Sequence, residues 1–181
     1  MLVWLAPLLH RNYGFSVANA AIQGATAAVI GSVLGFLVGG ILGDWWEKRN
    51  PNGPIWVVVL GFLFSGISVL LVFLIHSQKM VLFCIGLVAF FQMATNGPVL
   101  AAMMNVTVPH LRSTCNAIYL FLIHILGDAA SPTIIGLLSK KMGDLKAALE
   151  FVPWITMLSA VIAAGALFHY DKDRKEMMAK I

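Results

Sequence analysis

Long apolar runs separated by short polar breaks organise this 181-residue chain. Residues 17–42, 55–75, 80–104 and 151–168 contain no Asp, Glu, Lys or Arg, and residues 113–138 contain one such residue, Asp128. Each run is close to or above the roughly 20 residues that a tilted helix needs to cross a hydrocarbon core of about 30 Å. The breaks include GDWWEKRNPNGP, HSQK and TVPHLRS, which combine turn residues with interfacial aromatics and cations. The pattern predicts an all-α, polytopic transmembrane bundle with five full spans inside residues 16–170, the first opened by Ser16 as N-cap. Residues 1–15 are expected to be the end of a truncated helix and a loop: at about 1.5 Å per residue, MLVWLAPLL covers only about half of a bilayer core. Residues 171–181, within HYDKDRKEMMAKI, are mixed in charge and read as a frayed, solvated tail.

Composition strengthens the membrane reading. The chain is 60% hydrophobic and 11% charged, against about 25% charged in soluble domains. Its net charge of +4 reads as cations flanking the spans. No basic patch interleaves with aromatics, so the expected partner is the lipid bilayer and not nucleic acid. No secretory leader is expected, because the N-terminus lacks a basic region and a small-residue cleavage site. Cys84 and Cys115 stand singly in apolar runs and are expected to be small buried side chains.

Placing the loops 44–54 and 105–112 and the C-terminal tail on one side collects Lys48, Arg49, Arg112, Lys172, Arg174, Lys175 and Lys180 there. Arg11, Lys79, Lys140, Lys141 and Lys146 fall on the other side. Seven against five favours a cytoplasmic C-terminus, in a cell (inner) membrane.

Three spans carry patterned residues. In the first, Gly31, Gly35, Gly39 and Gly43 recur every four residues, with Gly24 and Gly40 nearby. Such a face lets another helix approach backbone to backbone, either as static packing or as a surface that rocks during a conformational cycle. In the third, Gln92 and Asn96 share a helical face just before Pro98. Proline there leaves the Ala94 carbonyl without its intrahelical donor, and Pro98 is an expected helix break. The polar face is either glue between helices or a pocket lining.

The fourth span is the richest. At about 100° per residue, Asn116, His124, Asp128 and Ser131 fall within an arc of about 120°. Pro132, the second expected break, would remove the backbone bond to the Asp128 carbonyl. Costly ionisable groups therefore coincide with the weakest point of the helix, where transporters build binding sites. His124, Asp128, Ser131, Asn116, Gln92 and Asn96 are the candidate substrate- or proton-site residues; a mutual His124–Asp128 hydrogen bond that merely holds the bundle is the alternative. No nucleophile–histidine–carboxylate set, phosphate loop or metal-ligand spacing is visible, so neither an enzyme nor a bound metal or cofactor is expected.

The string RSTCNAIYLFLIHILGDAASPTIIG, residues 112–136, resembles the eleventh helix of the spinster family of major facilitator transporters, whose members show R-S/A-T-A-x-A followed by H-x-x-G-D-x-x-S-P-x-x-I-G. Cys115 replaces the usual alanine. Gly40 and Asp44 resemble the glycine and aspartate of the superfamily's G-x-x-x-D-R loop signature, with Trp45 where arginine is usual. By span order, the chain resembles the end of helix 7 through helix 12. The resemblance implies the C-terminal half of a two-half fold that works by alternating access on a lipid-like, lysolipid-like or organic-anion substrate. It also implies a gating role for Gly40 and Asp44, with a solvated charged loop as the alternative, and an N-terminal six-helix half as partner, in the same or a separate chain; Arg112, at the start of the fourth full span, is expected to anchor the gate and not to touch substrate. The rival expectation is a degenerate or split half that transports nothing alone.

Overall fold

A computed structural model describes residues 2–179, the side chains of Leu2 and Val3 excepted. Met1, Ile181 and Lys180, the last counted among the cations of the C-terminal side, lie outside the described residues. The helices are α1 (Leu2–Tyr13), α2 (Val17–Glu47), α3 (Gly53–Leu74), α4 (Gln78–Ala94), α5 (Asn96–Asn105), α6 (Arg112–Leu122), α7 (Ala130–Met142), α8 (Leu145–Leu149), α9 (Val152–Gly165) and α10 (Tyr170–Met178). A π-helical segment, Ile123–Ala129, joins α6 to α7. Among the described residues, five helical stretches are long and apolar enough to cross a membrane: Val17–Glu47, Gly53–Leu74, Gln78–Asn105, Pro109–Met142 and Leu145–Phe168.

Ser16 caps α2 by accepting a hydrogen bond from the Asn19 amide at 3.2 Å. The helix runs on past Leu42 through Glu47, because Pro51 is the first residue beyond it that a helix cannot accommodate. Its small residues Ala20, Gly24, Ala28, Gly31, Gly35, Gly39 and Gly43 are all buried. A β-carbon added at Gly31, Gly35 or Gly39 would collide with the backbone of Gly86, Phe90 or Ala94, respectively, and one at Gly43 would meet Pro98 Cγ at 3.0 Å. Both series advance by four in the same direction, so α2 and the α4–α5 helix run parallel with their i±4 rows meshed. Gly61 of α3 sits likewise against Thr95, and Gly66 against Met157 of α9.

The third span breaks at Thr95, one turn before Pro98, and restarts at Asn96 as α5. The proline therefore lies in the first turn of the restarted helix, where its missing N–H is least costly. The Thr95 hydroxyl donates back to the Gln92 carbonyl at 2.8 Å, an i−3 bond that occupies an acceptor at the break.

Two clusters of buried apolar side chains add to this helix packing. In one, Leu5, Leu8 and Leu9 of α1 pack with Val69, Val72, Val81, Leu145 and Leu149. In the other, Ile55, Ala102 and Tyr170 form a smaller cluster. Cys84 is buried as expected, whereas Cys115 is half-exposed, because the fourth span is the least covered element. None of that span's most apolar stretch is buried against the rest of the chain.

The C-terminal segment departs from the expected frayed extension. Residues 170–178 form a helix, with Tyr170 and Met177 buried on one face. Positions 170, 174 and 177 share that face, so a segment that reads as mixed in charge along the sequence is amphipathic once coiled.

Candidate functional site

The fourth span carries its ionisable pair on the π segment. His124 Nδ1 lies 2.6 Å from Asp128 Oδ2, hydrogen-bonding distance, and both side chains are exposed, at 69% and 71% of their maxima. The π ladder closes from N–H to the carbonyl five residues back and so turns less per residue than an α-helix. It therefore shifts the register between the halves of this span, and the uniform 100° projection does not carry across residues 123–129. Ser131 lines a groove between α7 and α9 with Ile135, Phe151, Ile155 and Thr156. Among the described residues no hydrogen bond joins Ser131 or Asn116 to the pair. The structure thus brings His124 and Asp128 together, leaves Asn116 half-buried an α-helical stretch away, and turns Ser131 toward the last span.

Pro132 lies inside the first turn of α7, and the irregularity precedes it. The ladder has already changed register when it reaches the residue that cannot donate. π segments of this kind recur at functional positions, because they project a helix's side chains out of the regular rows.

On the third span, exposed Gln92 lines a small apolar cavity with Leu5, Ala28, Ser32, Ile85 and Met93. At about 60 Å³ it is far below the 300–1,000 Å³ typical of drug-sized ligands, so within this chain it is a corner and not a complete pocket. Asn96 turns instead to Met93, its amide 3.4 Å from the sulfur. Pro98 is buried between α5 and Gly43. Gln92 and Asn96 thus meet different neighbours within this chain.

At the opposite end of α2, a β-carbon added at Gly40 would meet nothing. Gly97 approaches its backbone instead, a Gly97 β-carbon falling 3.5 Å from Gly40 Cα. Asp44 is exposed and lines an open cleft with Glu47, Lys48 and Arg174. The Arg49 guanidinium stacks 3.7 Å from the centroid of the Trp45 ring, a cation–π contact at the level where tryptophan and arginine mark the membrane interface. Arg112 donates from Nε to the Thr107 carbonyl at 3.3 Å, pinning the turn that opens the fourth span.

A cluster that sequence reasoning missed lies beside this cleft. Arg174 pairs with Glu47 at 2.9 Å, and Asn105 Nδ2 donates both to Glu47 Oε1 at 2.8 Å and to the Tyr170 hydroxyl at 3.0 Å. Burial pushes the Tyr170 phenol above its ordinary range; Glu47 adds to the shift, and the Asn105 hydrogen bond and Arg174 oppose it. The signal available in the sequence was the i, i+4, i+7 spacing of Tyr170, Arg174 and Met177. Among the described residues no group of three or more His, Cys, Asp or Glu gathers as a metal site.

Comparison with known proteins bears on this arrangement. No family model matches the chain. It is 32% identical to the sphingosine-1-phosphate transporter SPNS2 of Mus musculus, over 95% of this chain and 36% of that protein. Protein spinster homolog 1 of Xenopus tropicalis is 29% identical, over 87% of this chain and 32% of its own length. The chain is spinster-like, a member of the major facilitator superfamily. An MFS-type efflux pump of Mycolicibacterium smegmatis is also similar, 26% identical over 75% of this chain and 32% of the pump. The spinster-like chain spans about a third of the length of the curated relatives it matches. Its all-α bundle is the C-terminal half of a major facilitator fold, and the chain is an integral, multi-pass membrane protein.

Proposed function

We propose that this chain is the C-terminal half of a secondary active or facilitative transporter that works by alternating access on a lipid-like or organic-anion substrate. The observation that carries the reading is the His124–Asp128 pair, 2.6 Å apart on a π segment and exposed on a span whose apolar stretch the chain leaves uncovered. Ionisable groups stranded in hydrocarbon are costly, so the uncovered face calls for water, a substrate head group or a second half-bundle opposite it. The relatives named as sphingosine-1-phosphate transporters support an amphipathic substrate, and the one named as an efflux pump supports transport.

In this reading His124 and Asp128 hold a proton or contact the substrate head group, and Gln92 sits at the edge of the cavity. Asn116, Ser131 and Asn96 support the helices around it. Gly40, Asp44 and Arg112 belong to the gate at the C-terminal end, which faces the cytoplasm according to the seven-to-five excess of lysine and arginine. The six-helix N-terminal half, in the same or a separate chain, supplies the facing wall of the cavity.

The test is uptake of sphingosine 1-phosphate, and separately of a fluorescent lysophospholipid, into vesicles bearing the full-length protein, at several pH values. Asp128→Asn should abolish the pH dependence and cut the rate by at least about tenfold, as expected where removing one partner leaves an unpaired intramembrane group. Wild-type, pH-dependent uptake by Asp128→Asn would remove the pair from the mechanism. Wild-type protein inactive on both probes would sink the substrate class.

A further inference from the structure

The contacts around Glu47 tie the ends of several helices to the C-terminal segment. Helix α10 presents Tyr170, Arg174 and Met177 on one face, and all three turn inward. Tyr170 is 5% exposed and packs with Ile55 at the start of α3, Ala102 of α5 and Leu167 just before α10. Glu47, at the last turn of α2, accepts from Arg174 and from Asn105, the last residue of α5. Side-chain exposures of 22% for Arg174 and 21% for Glu47 set this ion pair apart from the others in α10. Lys172–Glu176 and Lys175–Asp171 are i, i+4 pairs that reach 77% and 68% exposure on the lysine side, and pairs of that kind contribute little.

We propose that α10 is a clamp that holds together the ends of α2, α3 and α5, with Glu47–Arg174 as its latch and the Asn105 amide as the bridge between latch and Tyr170. The inference does not rest on the transport reading, since it concerns how this end of the bundle is held whatever it carries.

Desolvation decides how the latch behaves. A largely buried ion pair is worth little over an apolar pair of the same shape, but removing one partner strands the other and is strongly destabilising. The latch is therefore all-or-none: α10 is docked with both groups paired, or released with both in water. Asp44 and Lys48 line the same cleft as Glu47 and Arg174, so a second carboxylate and a second cation border the latch. When docked, the clamp restrains the turn 48–52 and the Thr107–Leu111 connection, which flank Glu47 and Asn105 in sequence. When released, it frees both. Conformational change at this end of the bundle thus needs either a rigid movement of all three helix ends together or the release of α10.

Hydrogen–deuterium exchange on the full-length protein in lipid nanodiscs tests the clamp. Arg174→Gln and Glu47→Gln should each raise exchange in residues 171–179 by about tenfold or more, and should raise it in 48–56 and 105–112 as well. The double variant should exceed neither single variant, since either change opens the same latch. Lys175→Ala should leave all three segments as in wild type. Protection of 60–72 and 82–92 reports whether the bundle itself remains folded. Unchanged exchange in 171–179 in both single variants overturns the latch. Faster exchange in 171–179 with 48–56 and 105–112 unchanged overturns the clamp.

Discussion

Gly39 packs its bare α-carbon against the carbonyl of Ala94, the acceptor that Pro98 deprives of its intrahelical donor. The break in the third span and the glycine stripe of the first are thus one feature. An added β-carbon at Gly39 would fall on that carbonyl, and one at Gly61 would strike Thr95 from the other side. Backbone-to-backbone approach of this kind allows weak Cα–H···O contacts to an acceptor that hydrocarbon cannot satisfy.

The first prediction follows from this contact. Gly39→Ala forces α2 away from α4 and should destabilise the bundle by about 1–3 kcal/mol, the usual cost of overpacking. Gly40→Ala, its neighbour, meets open space and should be neutral or slightly stabilising, because alanine is the better helix former. Thermal unfolding of the two variants in one detergent measures the difference. Equal melting temperatures would mean that the stripe does not set the helix separation.

A second prediction concerns the π segment. Deleting Leu126, an exposed residue inside it, lets the ladder revert to α-helix; because each π residue turns less, six α residues cover about the same rotation as the seven π residues, and α6 keeps its orientation relative to α7. Helical content by circular dichroism should be unchanged. Maleimide labelling of half-exposed Cys115 should stay within about twofold of wild type, while buried Cys84 remains unlabelled in both proteins. A Cys115 rate changed several-fold would show that the ladder stays π and that α6 rotates instead.

The third prediction uses the raised Tyr170 phenol. Its pKa lies above the ordinary 10.0 in the folded chain because burial disfavours the phenolate. The unfolded or undocked tyrosine therefore ionises first as pH rises. Stability from this group is fully present below about pH 10 and is lost as pH climbs from there through the higher folded value. Docking of α10, read by hydrogen exchange, should weaken above pH 10 in wild type. Tyr170→Phe should abolish that component while losing the bond from Asn105, at a cost of about 1 kcal/mol at neutral pH. An unaltered alkaline limb in Tyr170→Phe would assign the pH dependence elsewhere.

Several features were legible along the chain because they are local and periodic. The five apolar stretches follow from run length, and the cap at Ser16 from the residue type before the run. The small-residue face of α2 follows from four-residue spacing, and a helix break near Pro98 from the missing N–H. Asp128 stood out as the one carboxylate inside the spans, with His124 a single turn away. The projection of Asn116 and Ser131 beside that pair was not legible, since it assumed an unbroken α-helix across residues that wind as π.

What the sequence by itself determined was which segments enter the membrane, which face of α2 could be approached closely, and where charge had to be accounted for. These follow from transfer energies and backbone sterics, which act residue by residue. Only the tertiary structure decided that Gly39 meets Ala94, that Ser131 faces α9 and not Asp128, and that the charged C-terminal segment folds back to pair Arg174 with Glu47. Those outcomes depend on which distant backbone supplies the partner. A buried charge requires some partner, but the requirement names no position in the chain.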